Sequence, residues 1–280
     1  MTIGIIGLGL IGGSIAKDLK ATGQYRLLGC DSNPDHASTA ESLNIVDKLV
    51  TLDQLVEDSN LIILAFPVHS IAQHLPHILD KINSAQTVVD VGSTKAEILK
   101  HIHTHPMRAR FVAAHPLAGT EFSGPTAALR HLFSGKKNII CNSVDSAPGA
   151  LEMALKIFNA LGMESYFMDA GEHDKHLAYV SHLSHISSFV LSLTVQDIEK
   201  DEEQIFNLAG TGFASTVRLA KSNSKTWAPI FDANLDHLIK ALDHYQYRLE
   251  EFKSVLKSRK TEDTERLIIE ANKIKELIKN

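Results

Sequence analysis

The chain has 280 residues, 44% apolar and 22% charged, with a net charge of −5 at pH 7. That composition supports a packed core over two ordinary domains and excludes disordered and fibrous classes. There is no long basic run, so nucleic acid is not an expected partner, and no apolar stretch approaches the roughly 18–20 residues of a membrane span.

Thr2–Ile6 reads as a strand, followed by a glycine turn and a helix over about 10–22. Arg26–Cys30 is a second strand. Residues 61–65 form a pure apolar run closed by Phe66-Pro67. Further strands are expected at 87–91 and at 111–114, the latter closed by His115-Pro116. Continuous apolar strands alternating with helices predict a parallel sheet covered on both faces. Segments 138–141 and Glu164–Met168, with a helix over about 150–161 between them, extend that sheet. After about Gly171 strand patterns stop, and helical periods run over 173–199, 227–257 and 261–279. The expected class is α/β: a Rossmann-type doubly wound parallel sheet over residues 1–170, and an all-helical substrate and dimerisation domain over 171–280.

Gly7-Leu8-Gly9-Leu10-Ile11-Gly12 fits G-x-G-x-x-G, a weak pattern alone. Here it follows a strand, opens a helix, and precedes Asp31 at the end of the second strand by roughly 20 residues, the spacing of a dinucleotide fingerprint. Gly7 allows the turn, Gly9 leaves room for a pyrophosphate, Gly12 lets helix and strand pack, and the helix N-terminus offers N–H groups to phosphate. The Asp31 carboxylate suits two ribose hydroxyls and opposes a 2′-phosphate, and Ser32-Asn33-Pro34 supply no cation, so NAD is expected rather than NADP.

Ligands of open parallel sheets bind beyond the carboxyl ends of the strands. That selects Pro67, the Gly92-Ser93-Thr94 loop and His115. A histidine fixed by a following proline suits a general base, and on position alone a structural histidine is as good an account.

Several blocks together resemble the prephenate/arogenate dehydrogenase family. They are the cofactor fingerprint, Asp90-Val91-Gly92-Ser93-Thr94-Lys95, His115-Pro116-Leu117-Ala118-Gly119-Thr120-Glu121, Ser181-His182-Leu183-Ser184-His185, and Gly212-Phe213 through Arg218 to Ser222 with Trp227. The resemblance implies that His115 takes the C4 hydroxyl proton of prephenate and that Ser93 orients that hydroxyl. It implies that Arg218 pairs with a substrate carboxylate, that His185 and Trp227 hold the pyruvyl side chain, that Glu121 gates or orders the pocket, and that His182 supports His185. Without it, Arg218 reads more readily as a surface ion pair. The sequence departs from the family pattern at Ser184 (usually proline), Ser215 (commonly aspartate) and Val217 (commonly threonine), and serine supplies no charge to a network around Arg218.

The family also implies a homodimer through the C-terminal helices. No chorismate-mutase-like segment precedes the fingerprint and no βαββαβ-like module follows Asn280, so any inhibition by tyrosine is expected in the active site. The competing expectations are arogenate as substrate, a β-hydroxyacid dehydrogenase, or an NAD-sensing module without turnover. His182 and His185 share a helix face, but no third ligand completes a metal site, and none is expected. Cys30 and Cys141 stand in no metal or redox spacing and no basic n-region opens the chain, so the cytoplasm is the expected compartment.

Overall fold

The computed structural model describes residues 1–202 and 208–278. Eight strands form one sheet in the order β3-β2-β1-β4-β5-β6-β7-β8. They are β1 (Thr2–Ile6), β2 (Arg26–Cys30), β3 (Lys48–Leu49), β4 (Leu61–Leu64), β5 (Thr87–Asp90), β6 (Phe111–Pro116), β7 (Lys137–Cys141) and β8 (Glu164–Met168). All neighbours pair in parallel except β6 with β7. The connecting helices are α1 (Leu10–Ala21), α2 (Pro34–Ser42), α3 (Leu52–Asp58), α4 (Val68–Lys81), α5 (Ala96–Ile102) and α6 (Pro148–Ala160). After β8 come α7 (Ala170–Leu177), a π-helical turn (Ala178–His182), α8 (Leu183–Glu202), α9 (Thr211–Thr216), α10 (Ser224–Ala233), α11 (Leu235–Ser258), α12 (Thr261–Asn272) and α13 (Ile274–Leu277).

The apolar runs are explained by burial on both faces. In β4, Leu61 and Ile63 join the core formed with α1 and α6, whereas Ile62 and Leu64 join the core formed with α4 and α5. The chain leaves β1 toward β2 and β3 on one side, then crosses to β4 on the other. That reversal makes the carboxyl ends of β1 and β4 the topological switch point, where such sheets take their ligands.

The structure departs from the sequence expectations in five places. β3 is a strand of only two residues and was not expected. β6 runs on through Pro116 and pairs antiparallel with β7, so His115 lies within a strand, opposite Ile139, rather than in the loop after it. The helix expected over 173–199 starts at Ala170, capped by the Asp169 carboxylate on the N–H groups of Gly171 and Glu172, and it includes the π turn. The helix expected over 227–257 is two helices broken at Asn234. The Asn234 carboxamide is drawn inward, donating to the Asp174 carbonyl at 2.7 Å and meeting His182 Nδ1 at 3.1 Å. The third helical stretch divides into α12 and α13, and its expected last residue, Lys279, lies outside the described residues.

The chain forms two compact units, Met1–Asn234 and Leu235–Asn280. All the residues discussed as a site belong to the first. In the second, α11 packs against α12, with Arg248 lying 3.8 Å from Glu270. Among the described residues no helix is long and apolar enough to cross a membrane.

Candidate active site

The glycine turn is built for close approach. Gly7 has φ +92°, and a Cβ there would come within 2.5 Å of the Ala65 carbonyl oxygen. A Cβ on Gly12 would lie 1.9 Å from the Gly7 oxygen, whereas one on Gly9 would meet nothing within 4 Å. Gly12 therefore serves helix–strand packing, and Gly9 faces open space. Gly9 caps α1 with no side-chain hydrogen bond, and the first turn through Leu10, Ile11 and Gly12 carries no acidic residue. Its N–H groups are left for an anion.

Asp31 is anchored on both oxygens: the Leu8 N–H donates to Oδ2 at 2.8 Å and the Asn33 N–H donates to Oδ1 at 2.9 Å. A fixed carboxylate at the end of β2, beside an uncapped helix N-terminus, fits the adenosine ribose and pyrophosphate of NAD. His36, which the sequence reading passed over, lies 3.7 Å from Asp31. Pro67 follows β4 and is exposed at the start of α4, and Ser93 follows β5 and is half-buried.

His115 is 9% exposed, and its Nδ1 lies 2.9 Å from Nε2 of the fully buried His173. The two rings meet edge to face, 5.1 Å between centroids. His173 Nδ1 in turn lies 2.7 Å from Asp174 Oδ1. Burial holds the His115 pKa well below the ordinary histidine value, reinforced by His173, Lys95 and His182. The imidazole is thus neutral at working pH, the state a base requires. Beneath it Lys95 and Asp90 form a pair with no exposure, and Lys95 Nζ also donates to the Ala114 carbonyl at 2.7 Å.

His182 is buried, and its pKa is pushed down to about 4, chiefly by burial. Its Nδ1 lies 3.1 Å from the Asn234 carboxamide nitrogen. It does reach the same aromatic group, lying edge-on to Trp227 at 6.0 Å. His185 stacks on Trp227 with centroids 3.4 Å apart and planes 25° apart, and its Nδ1 donates to the Ser181 carbonyl at 3.0 Å. Burial lowers the His185 pKa, and the nearby Arg218 charge lowers it further. Arg218 itself is exposed and paired with Glu121 at 3.1 Å. His182, His185 and Trp227 thus form one ring cluster, Arg218 and Glu121 form an ion pair whose charge reaches His185, and His115 is linked through His173 and Asp174 to Asn234 beside His182.

The sequence reading missed His173, Asp174, the Lys95–Asp90 pair and Asn234. The one available signal was the His173-Asp174 dipeptide just inside a helix capped by Asp169, and it reads as an ordinary polar helix start.

A dinucleotide fingerprint at the switch point and a buried neutral imidazole in one mostly parallel sheet put this chain in the class of NAD-dependent dehydrogenases. The model for the prephenate dehydrogenase nucleotide-binding domain matches residues 15–167, and that for the prephenate dehydrogenase dimerization domain matches 169–279. A prephenate dehydrogenase of Lactococcus lactis subsp. cremoris is 28% identical over 97% of this chain and 76% of its own length. The crystal structure of an A. aeolicus prephenate dehydrogenase in complex with hydroxyphenyl propionate and NAD+ shares 30% identity over 99% of this chain and 97% of that one, with a TM-score of 0.87. A Synechocystis arogenate dehydrogenase structure is 26% identical over 99% of both chains, with a TM-score of 0.79. The chain belongs to the prephenate dehydrogenase family, and it is an NAD-dependent oxidoreductase with a small-molecule substrate.

Proposed function

We propose that this enzyme converts prephenate to 4-hydroxyphenylpyruvate and carbon dioxide in tyrosine biosynthesis, with His115 as the base for the C4 hydroxyl. The observation that carries this is a buried, neutral His115 whose Nδ1 is taken up by His173, which leaves Nε2 as the working nitrogen. NAD, when bound, supplies the acceptor for the C4 hydride. His115 removes the hydroxyl proton, and Ser93 orients the same hydroxyl. The ring then loses its carboxyl group as carbon dioxide and becomes aromatic, which makes the overall reaction irreversible.

Gly7, Leu8, Gly9, Leu10, Ile11 and Gly12 cradle the pyrophosphate, Asp31 takes the ribose, and Pro67 and Ser93 lie toward the nicotinamide. Arg218 offers its planar fork to a substrate carboxylate. Glu121 holds that fork in place before substrate arrives, and the His185–Trp227 stack forms a wall for the side chain. Residues 1–170 act as the cofactor domain and 171–280 as the substrate and dimerisation domain.

The enzyme works as a homodimer in the cytoplasm. Val190 and Leu193 on α8 are exposed, and so are Tyr245, Leu249, Phe252 and Leu256 on α11; apolar faces of this kind are usually covered by a partner. Both cysteines are free thiols, as suits a reducing compartment. NADH formation with prephenate and with arogenate, each tried with NAD and NADP, tests the substrate and cofactor together. Prephenate with NAD is expected to give the highest kcat/KM, and a clear preference for arogenate or for NADP would contradict it. Sedimentation at micromolar concentration tests the dimer.

A further inference from the structure

We propose that His173 and Asp174 are positioning residues that fix the tautomer of His115 and accept the charge it gains, so that the base is a three-residue relay. This rests on the role given to His115 above.

The direction of each hydrogen bond follows from the one before it. The Asp174 carboxylate accepts the Lys95 N–H at 2.9 and 3.1 Å and the Ala96 N–H at 2.8 Å. Peptide N–H groups cannot reverse their role, and two of them directed at one carboxylate favour its ionised, acceptor-only form. His173 Nδ1, 2.7 Å away, must therefore carry a hydrogen. A neutral imidazole has only one, so His173 Nε2 is an acceptor. His115 Nδ1, at 2.9 Å, must donate to it. The lone pair of His115 is then on Nε2, where a base needs it. Reversing any link would set two N–H groups or two lone pairs against each other.

The same chain has somewhere to put the proton. The bond broken is the substrate O–H, and the bond formed is N–H at His115 Nε2. The Nδ1 hydrogen of His115 passes to His173 Nε2, and the positive charge comes to rest on His173 beside Asp174. The hydride goes to NAD, so no further oxidant is needed. His173 and Asp174 are 0% and 1% exposed, so their pairing is not screened by water. The other groups facing the relay are accounted for. Lys95, from the loop after β5, is paired with Asp90; His182, from the π turn, is held by Asn234; and Asn234 binds the Asp174 backbone carbonyl.

The variant Asp174→Asn tests this. Its carboxamide can still accept the backbone N–H groups through oxygen, but it turns an NH2 toward His173 and reverses every link to His115. The expected result is a kcat loss of about 10²- to 10⁴-fold, the worth of a positioned acid–base group. The KM for NAD is expected to be near normal, and the acid limb of the kcat/KM profile to move to lower pH. In a His115→Ala background the same change is expected to have an effect within about threefold, because it acts through His115. The second variant, His173→Gln, keeps an acceptor for His115 Nδ1 but cannot take the proton, so it should lose less activity than Asp174→Asn while also shifting the acid limb. If Asp174→Asn fails to bind NAD, His173→Gln decides by the same measurements. An unmoved acid limb, or a loss that adds in full to that of His115→Ala, overturns the relay while leaving His115 as base. Normal turnover by His115→Ala alone would instead remove the base itself.

Discussion

Glu121 and Arg218 are 97 positions apart in sequence and meet as carboxylate and guanidinium, with Arg218 Nη1 3.1 Å from Glu121 Oε2. Glu121 follows β6, which carries His115, and Arg218 follows α9, so the pair ties the outer loops of the site together. The Arg218 side chain is 53% exposed, and solvent screening leaves such a pair little weight in folding. In the proposed reaction the pair would instead order the fork before a substrate carboxylate arrives.

Arg218→Ala is therefore expected to change stability by less than about 1 kcal/mol. It should raise the KM for prephenate about 10- to 100-fold, the loss of one charge-assisted contact, with kcat little changed. Steady-state kinetics and thermal melting check both halves, and an unchanged KM would remove Arg218 from substrate binding.

Two glycines of one motif should respond in opposite ways. A Cβ at Gly12 would lie 1.9 Å from the Gly7 carbonyl oxygen, so Gly12→Ala should destabilise the fold by about 1–3 kcal/mol and lower its Tm. A Cβ at Gly9 meets no protein atom, so Gly9→Ala should melt like the parent. It should still raise the KM for NAD by about tenfold or more, equivalent to roughly 1.4 kcal/mol. A Gly9→Ala enzyme with an unaltered KM for NAD would show that the pyrophosphate does not approach there.

The buried histidines are expected to make stability depend on pH in the acid range. His182 has a folded pKa of about 4 against an ordinary histidine value of 6.5, and the His115 pKa is also lowered. A base whose pKa is depressed by folding binds more protons unfolded than folded between those values. Stability from His182 is thus complete above about pH 6.5, falls as the pH drops toward 4, and levels off below it, a span of about 3 kcal/mol. Denaturant midpoints measured from pH 7 down to 4.5 should fall steadily, and the fall should be smaller in His182→Gln. A pH-independent midpoint over that range would contradict the buried neutral state.

Much of this was legible in the sequence because each signal was local. The glycine turn, Asp31 and the apolar runs of β1, β4 and β5 follow from the needs of neighbouring residues. The pairing of β6 and β7 was not legible, since an apolar run carries no direction. Asn234 was missed because a polar residue inside a continuing helical stripe looks like a surface position. His173 was missed for a similar reason: its partner His115 is 58 residues away, and only the packing of α7 against the sheet brings them together. The assigned site groups share one feature, that their chemistry shows in residue type. Those missed act through burial, which spacing does not reveal.

The proposed reaction depends above all on His115 taking the proton. The most direct measurement is the rate of NADH formation from saturating prephenate by His115→Ala beside the parent enzyme, with NAD binding measured on both. The expected result is equal NAD affinity with kcat lowered about 10²- to 10⁴-fold in the variant. Turnover close to that of the parent would contradict it.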